Sequence, residues 1–167
     1  MARAKDKGVD ASAVRQYLTF RIGTSVYGLD ILRVREIRGW SQPREIPNVP
    51  RYIKGVMDFR GGIVPIIDLR VRFGQALAEY DKETVVILVS VEQEARSAIM
   101  GIVVDRVADV MDVAPADIKA RPDLGDQLDT RYLPGIVKRE DHMVLLVDVD
   151  KLLDTRTFSL VEELPKS

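Results

Sequence analysis

The chain has 167 residues, 46% hydrophobic and 31% charged, with a formal net charge of −1. That is the profile of a globular protein with room for one large domain or two small fused ones. The absence of cysteine excludes disulfides, thiolate metal sites and cysteine nucleophiles; no apolar run approaches the roughly 20 residues a bilayer-spanning helix needs.

The polar opening, residues 1–16, lacks the apolar core of a signal peptide and reads as a flexible lead-in, so a cytoplasmic location is expected. Tyr17–Ile22 alternates and is rich in β-formers; Gly23–Ser25 turns it into Val26–Ile31, a hairpin. Leu32–Ile37 fits a short helix or an irregular strand. Ser41–Tyr52 holds Pro43, Pro47 and Pro50 and must be edge strand or loop. Ile53–Phe59 and Ile63–Leu69 form a second hairpin, where Pro65 suggests an edge or a bulge. Asp68–Phe73 makes one helical turn, stopped by Gly74, and Gln75–Lys82 is a connector.

Thr84–Val91 and Ala98–Val104 are apolar strands joined by a charged turn, Glu92–Arg96. Asp105–Val113 follows. Its carboxylates Asp105, Asp109 and Asp112 have spacings that would cluster them on a helix face, most simply a solvated one. After the turn Pro115–Ile118 and the polar loop Arg121–Thr130, Tyr132–Val137 and Met143–Val149 make a last hairpin around Lys138–His142. Asp150–Leu153 is a short helical end. The tail, residues 155–167, has room for one more helical turn at Phe158–Leu164. Many short strands with turns between them indicate an all-β barrel or sandwich.

Self-comparison gives more. Gly28–Ile37 aligns with Gly101–Val110 at an offset of 73 residues. Tyr52–Val56 aligns with Tyr132–Ile136, and Ile63–Asp68 with Met143–Asp148, both at an offset of 80. Two related barrels of about five strands each are expected within residues 17–154, roughly the first and second halves of the chain and interleaved. The halves differ in charge. Residues 1–80 carry 14 Lys/Arg against 8 Asp/Glu, and residues 81–167 carry 11 against 18. That asymmetry would suit partners of opposite sign.

Catalytic signals are missing. His142 is the sole histidine and sits in a polar turn. No phosphate-binding glycine loop or nucleophile elbow occurs, and the basic residues are not interleaved with aromatics as in a nucleic-acid platform. An enzyme would need a paired carboxylate site, which the sequence does not present. No cofactor, metal or nucleic acid is expected, and a binding module is the better reading.

Several runs carry a resemblance. They are Tyr27–Arg38, Ile46–Pro50, Ile53–Gly61 (IKGVMDFRG), Ile63–Leu69 (IVPIIDL), Met100–Asp105 and Leu133–Ile136. Together, across Gln16–Leu153, they closely resemble the CheW-like domain family of bacterial chemotaxis. The resemblance implies two SH3-like five-stranded β-barrels with short helical turns. It implies a non-enzymatic scaffold coupling methyl-accepting chemoreceptors to the histidine kinase CheA, cytoplasmic and recruited to membrane-associated receptor arrays without inserting in the membrane. An SH3-like adaptor in a non-flagellar chemosensory pathway is the alternative. The resemblance places Val34 and Glu36 in coupling surfaces, makes Gly55 a sensitive position and makes Arg60 a critical basic residue. A cleft lined by Ile31, Val34, Val104 and Val107 would receive the helical tip of a receptor. Gly61 and Gly62 are expected as turn residues with φ > 0 allowed. This chain has Asp58-Phe59-Arg60-Gly61 where relatives often have Asn-Leu-Arg-Gly, so Asp58 and Glu36 are both potential ion-pair partners for Arg60.

Overall fold

The computed structural model describes residues 13–74, 79–93, 96–120 and 133–153. Among these the strands are β1 Arg15–Ile22, β2 Ser25–Asp30, β3 Val34–Gly39, β4 Ile53–Phe59, β5 Gly62–Asp68, β6 Val85–Gln93, β7 Arg96–Val104, β8 Arg106–Val113, β9 Ile118–Lys119, β10 Gly135–Lys138 and β11 Met143–Val147. Two short helices follow the fifth and last strands: α1 Leu69–Arg72 and α2 Val149–Leu152. The expected loop Arg121–Thr130, Tyr132, the tail and most of the lead-in lie outside the described residues, as does part of the Gln75–Lys82 connector.

Two sheets form, in the orders β8-β1-β2-β11-β10-β9 and β3-β6-β7-β5-β4. Set β1, β2, β3, β4 and β5 beside β6, β7, β8, β10 and β11. Leaving aside the short β9, both sheets then have the order third, first, second, fifth, fourth. In each, the second and fifth strands are parallel, with Gly28 opposite Leu146 and Gly101 opposite Ile66. These four positions are related by the same offsets of 73 and 80 seen in the sequence.

The halves interleave for a geometric reason. A third strand placed beside the first of its own half would run parallel to the second, and that requires a crossover of a dozen or more residues. Only residues 31–33, a 3-10 turn, separate β2 from β3, and only Asp105 separates β7 from β8. Each half therefore bends directly into the other sheet. The sheets consequently keep only part of the charge difference between the halves. Residues 31–104 carry 11 Lys/Arg against 9 Asp/Glu, and residues 15–30 with 105–153 carry 9 against 12.

The bend also corrects the helix-face reading of Asp105, Asp109 and Asp112. The segment 106–113 is a strand because it pairs with β1. Asp109 accepts from the buried Thr19 hydroxyl (2.8 Å) and Asp112 from Gln16 (3.2 Å), while Asp105 stands at the bend. Leu32–Ile37 resolves into the 3-10 turn and then strand. Pro65 sits inside the sheet order, yet the parallel ladder with β7 begins at Ile66, so Pro65 has a strand neighbour on one side only.

Alternation along the central strands builds three clusters. Val86, Leu88 and Val103 join Phe59, Val64 and Ile66 inside the β3–β7 sheet. Val26, Val113, Val137, Val144 and Leu146 fill the other sheet. Ile87, Val89, Val91, Met100, Ile102 and Val104 face the opposite way and meet Leu18, Phe20, Tyr27 and Leu29 in a core common to both sheets. Strands buried on both faces explain the near-continuous apolar run of β6. At about 1.5–3 kcal/mol per fully buried aliphatic side chain, the shared core makes the sheets one cooperative body. Among the described residues no helix is long and apolar enough to cross a membrane.

Candidate functional site

The β4–β5 hairpin closes on two residues. Phe59 pairs with Gly62, and Arg60 and Gly61 between them have φ of 51° and 80°. Positive φ at both central positions is what a type I′ hairpin turn demands, and Asn or Gly are its ordinary occupants. Gly61 meets the expectation. Gly62 does not need it, because it already stands in the β5 ladder; the second left-handed position falls on the arginine. The equivalent hairpin, β10–β11, closes instead over residues 139–142, with Arg139 N–H donating to His142 O (2.9 Å). Neither Arg139 nor its loop neighbours take positive φ.

Arg60 is exposed, with its guanidinium 4.9 Å from the centre of the Phe59 ring. Arg38 reaches the same ring at 5.2 Å and is ion-paired to Glu36. Sequence candidates Glu36, on the edge strand β3, and Arg60, in the turn after the opposite edge strand β4, are thus linked through Arg38 and Phe59. Asp58 takes a different partner, Arg44, at 3.6 Å, and both side chains are largely exposed. Among the described residues Arg60 has no ion pair: Glu36 serves Arg38 and Asp58 serves Arg44. Its charge is held by a ring and aimed outward.

Ile31 and Val34 are equivalent to Val104 and Val107 by the offset of 73. Ile31, Val34 and Val107 are half-buried against the common core. Val104 is 0% exposed and offers no surface to a partner; any effect of its substitution acts through packing. Of the four, Ile31, Val34 and Val107 thus keep exposed surface and Val104 does not. Gly55 is structural in a specific sense. Its φ is 142°, and a Cβ there would stand 2.0 Å from the Arg44 carbonyl oxygen, because the Arg44 backbone bridges to Val56. Any side chain would force the 43–45 segment away from β4.

A second constellation escaped the sequence reading. Arg70 on α1 is 2% exposed and Asp68 is 0% exposed. The guanidinium donates to both Asp68 oxygens (3.0 and 2.9 Å), to Asp105 Oδ1 (3.1 Å) and to the Glu79 carbonyl (2.6 Å). Asp105 Oδ2 accepts the Gly23 N–H at 2.7 Å, tying in the β1–β2 turn. Burial alone would favour discharging Arg70, but the hydrogen bonds and charge of Asp68, then Asp105, outweigh it and hold its pKa above the usual guanidinium range. The Tyr80 hydroxyl donates to Asp68 Oδ2 (2.9 Å), and its ring stacks on Trp40 at 4.0 Å and 13°. The signal was the Asp-x-Arg of a one-turn helix, which by itself says only N-cap.

Desolvation, then the Asp68 hydrogen bond and charge, push the Tyr80 phenol from about 10 up to about 12. An acid with a raised folded pKa contributes stability that is complete below pH 10 and lost as pH rises toward 12. Absorbance titration at alkaline pH should show one of the tyrosines ionising near 12, with urea resistance declining over the same interval; replacing Tyr80 by Phe should remove that step. A Tyr80 step at the ordinary phenol value would show that the Asp68 contact is absent in solution.

A family model described as CheW-like domain matches residues 16–157. The chain is 44% identical over 153 residues to the chemotaxis protein CheW of Klebsiella aerogenes, an alignment spanning 92% of this chain and 90% of the relative. It is 33% identical over 138 residues to that of Rhizobium meliloti, spanning 83% and 86%. The crystal structure of scaffolding protein TtCheW from Thermoanaerobacter tengcongensis superposes with a TM-score of 0.74 at 29% identity, covering 84% of this chain and 92% of that one. The chain belongs to the CheW-like domain family and is a chemotaxis coupling adaptor.

Proposed function

We propose that the chain acts in the cytoplasm by binding rather than catalysis, joining the helical tip of methyl-accepting chemoreceptors to the regulatory domain of the histidine kinase CheA within membrane-associated arrays. The observation that carries this reading is Arg60. It holds a left-handed position that glycine would fill at lower cost, and among the described residues its charge has no ion-pair partner and lies on an aromatic ring. Ile31 and Val34 at one bend between sheets, and Val107 at the other, are half-buried apolar side chains of the kind that receives a helix's apolar stripe. Glu36 contributes by fixing Arg38. Gly55 and Val104 act indirectly, through the backbone and the core.

The test is capture by immobilised receptor hairpin and by CheA, singly and together. Binding to each, with greater retention when both are present, is the expected result. Capture by neither would sink the coupling reading. The two sheets keep less than half of the charge difference of the halves, so the affinity for CheA should fall only modestly between low and physiological salt. A fall of about a hundredfold or more would restore a charged-lobe mechanism.

A further inference from the structure

The repeat separates what the fold needs from what it does not. Asp68 and Asp148 occupy equivalent positions, and each caps the short helix after its fifth strand. Asp68 accepts the Arg70 N–H, and Asp148 accepts those of Asp150 and Lys151. The position equivalent to Arg70 is Asp150, so the second helix has no guanidinium folded back onto its cap. Asp150 instead pairs outward with Arg33 at 2.6 Å. The cap is therefore demanded by the fold. The buried arginine and the tyrosine on its far side are not. Among the described residues they occur in the sheet that also carries the Arg60 turn, and that turn has no counterpart in the other repeat.

The two unrepeated features are physically joined. Tyr80 is fixed at its hydroxyl by Asp68 and across its face by the Arg70 guanidinium, 4.8 Å from the ring centre. Its ring stacks on Trp40. The Trp40 backbone N–H donates to the Thr84 carbonyl (3.0 Å), and its side chain packs against the cluster containing Phe59. Phe59 is the ring over which Arg38 and Arg60 lie. Every link is a ring contact, a hydrogen bond or packing against a shared cluster, and the chain ends on the residue that carries the proposed function.

We propose that Tyr80, held by the Asp68–Arg70 pair, is a positioning residue for the arginine edge, setting through Trp40 and Phe59 where Arg38 and Arg60 point. The claim rests on the coupling reading for its biological role, but the geometric part stands without a partner. Tyr80→Phe removes one hydroxyl and keeps the ring, so the core is undisturbed.

Trp40 is the sole tryptophan, so its emission reports the stack directly. In the full chain without partner, Tyr80→Phe should shift Trp40 emission and also move the side-chain Nε–Hε NMR signals of Arg38 and Arg60. A Trp40 shift with both arginine signals unmoved would overturn the proposal, since the stack would then be structural only; so would no shift anywhere. With partner, Tyr80→Phe should weaken capture by receptor and CheA about threefold to tenfold. In an Arg60→Ala background its further cost should be smaller, confined to what acts through Arg38. Effects that multiply would show that Tyr80 does not act through Arg60. If the parent chain captures no partner, it is the coupling reading that fails, and the arginine signals alone decide the positioning claim.

Discussion

Arg60→Gly is expected to fold as well as the parent chain and to lose coupling. The backbone term favours the variant. A side chain at φ 51° pays the left-handed penalty, about 1 kcal/mol, which glycine escapes. Against this stand the greater freedom of glycine in the unfolded chain, about 0.5–1 kcal/mol, and the lost contact with Phe59, about 0.5–1 kcal/mol at an exposed site. These offset to within about 1 kcal/mol, so the urea midpoint should scarcely move. The functional term is not offset. An exposed arginine at the centre of an interface is typically worth about 2 kcal/mol or more, a loss of roughly thirtyfold in affinity. Receptor-dependent kinase activation in a reconstituted assay should fall accordingly. Arg60→Lys is a useful companion: it keeps the charge and much of the backbone cost but loses the planar face that lies on the ring. If Arg60→Gly activates the kinase normally, the arginine has no coupling role and its strained position is unexplained.

The sequence disclosed the β-architecture and the repeat because both are written in short-range pattern. Alternation in Tyr17–Ile22, the diglycine after Arg60 and matched Asp68 and Asp148 are local signals. That the halves interleave followed from the repeat offsets, but the bends at 31–33 and Asp105 that carry each half into the other sheet emerge only with the strand bounds. The site was legible only by likeness to a family. Arg60 could be named, but its left-handed backbone was assigned to the second glycine, because the choice between a turn centred on Arg60-Gly61 and one on Gly61-Gly62 depends on the register of β4 against β5. Val104 was misplaced in the cleft for a related reason. A valine on a fully buried strand and one on a half-buried strand look alike until the second sheet covers one of them. The Arg70 cluster assembles residues 23, 68, 70, 80 and 105, and no spacing rule joins them.

Removing Arg70 should produce the largest loss of stability of any change discussed. Arg70→Met retains most of the side-chain volume but leaves the Asp68 carboxylate, 0% exposed, with only the Tyr80 hydroxyl and the helix N–H to stabilise it. Breaking a buried pair from one side typically costs about 3–5 kcal/mol, a large share of the 5–15 kcal/mol that holds a domain together. The urea midpoint should fall steeply, and Asp105 would lose its link between the β1–β2 turn and α1. The double variant Asp68→Asn, Arg70→Met distinguishes a stranded charge from a lost contact. Asparagine still caps the helix, and no buried carboxylate remains, so the double variant should be more stable than Arg70→Met alone by at least about 1 kcal/mol. If the second substitution instead adds its full cost to the first, the destabilisation comes from the hydrogen bonds themselves rather than from an unpaired charge. Such additivity would count against an ion pair whose main energetic consequence is that neither partner can be removed alone.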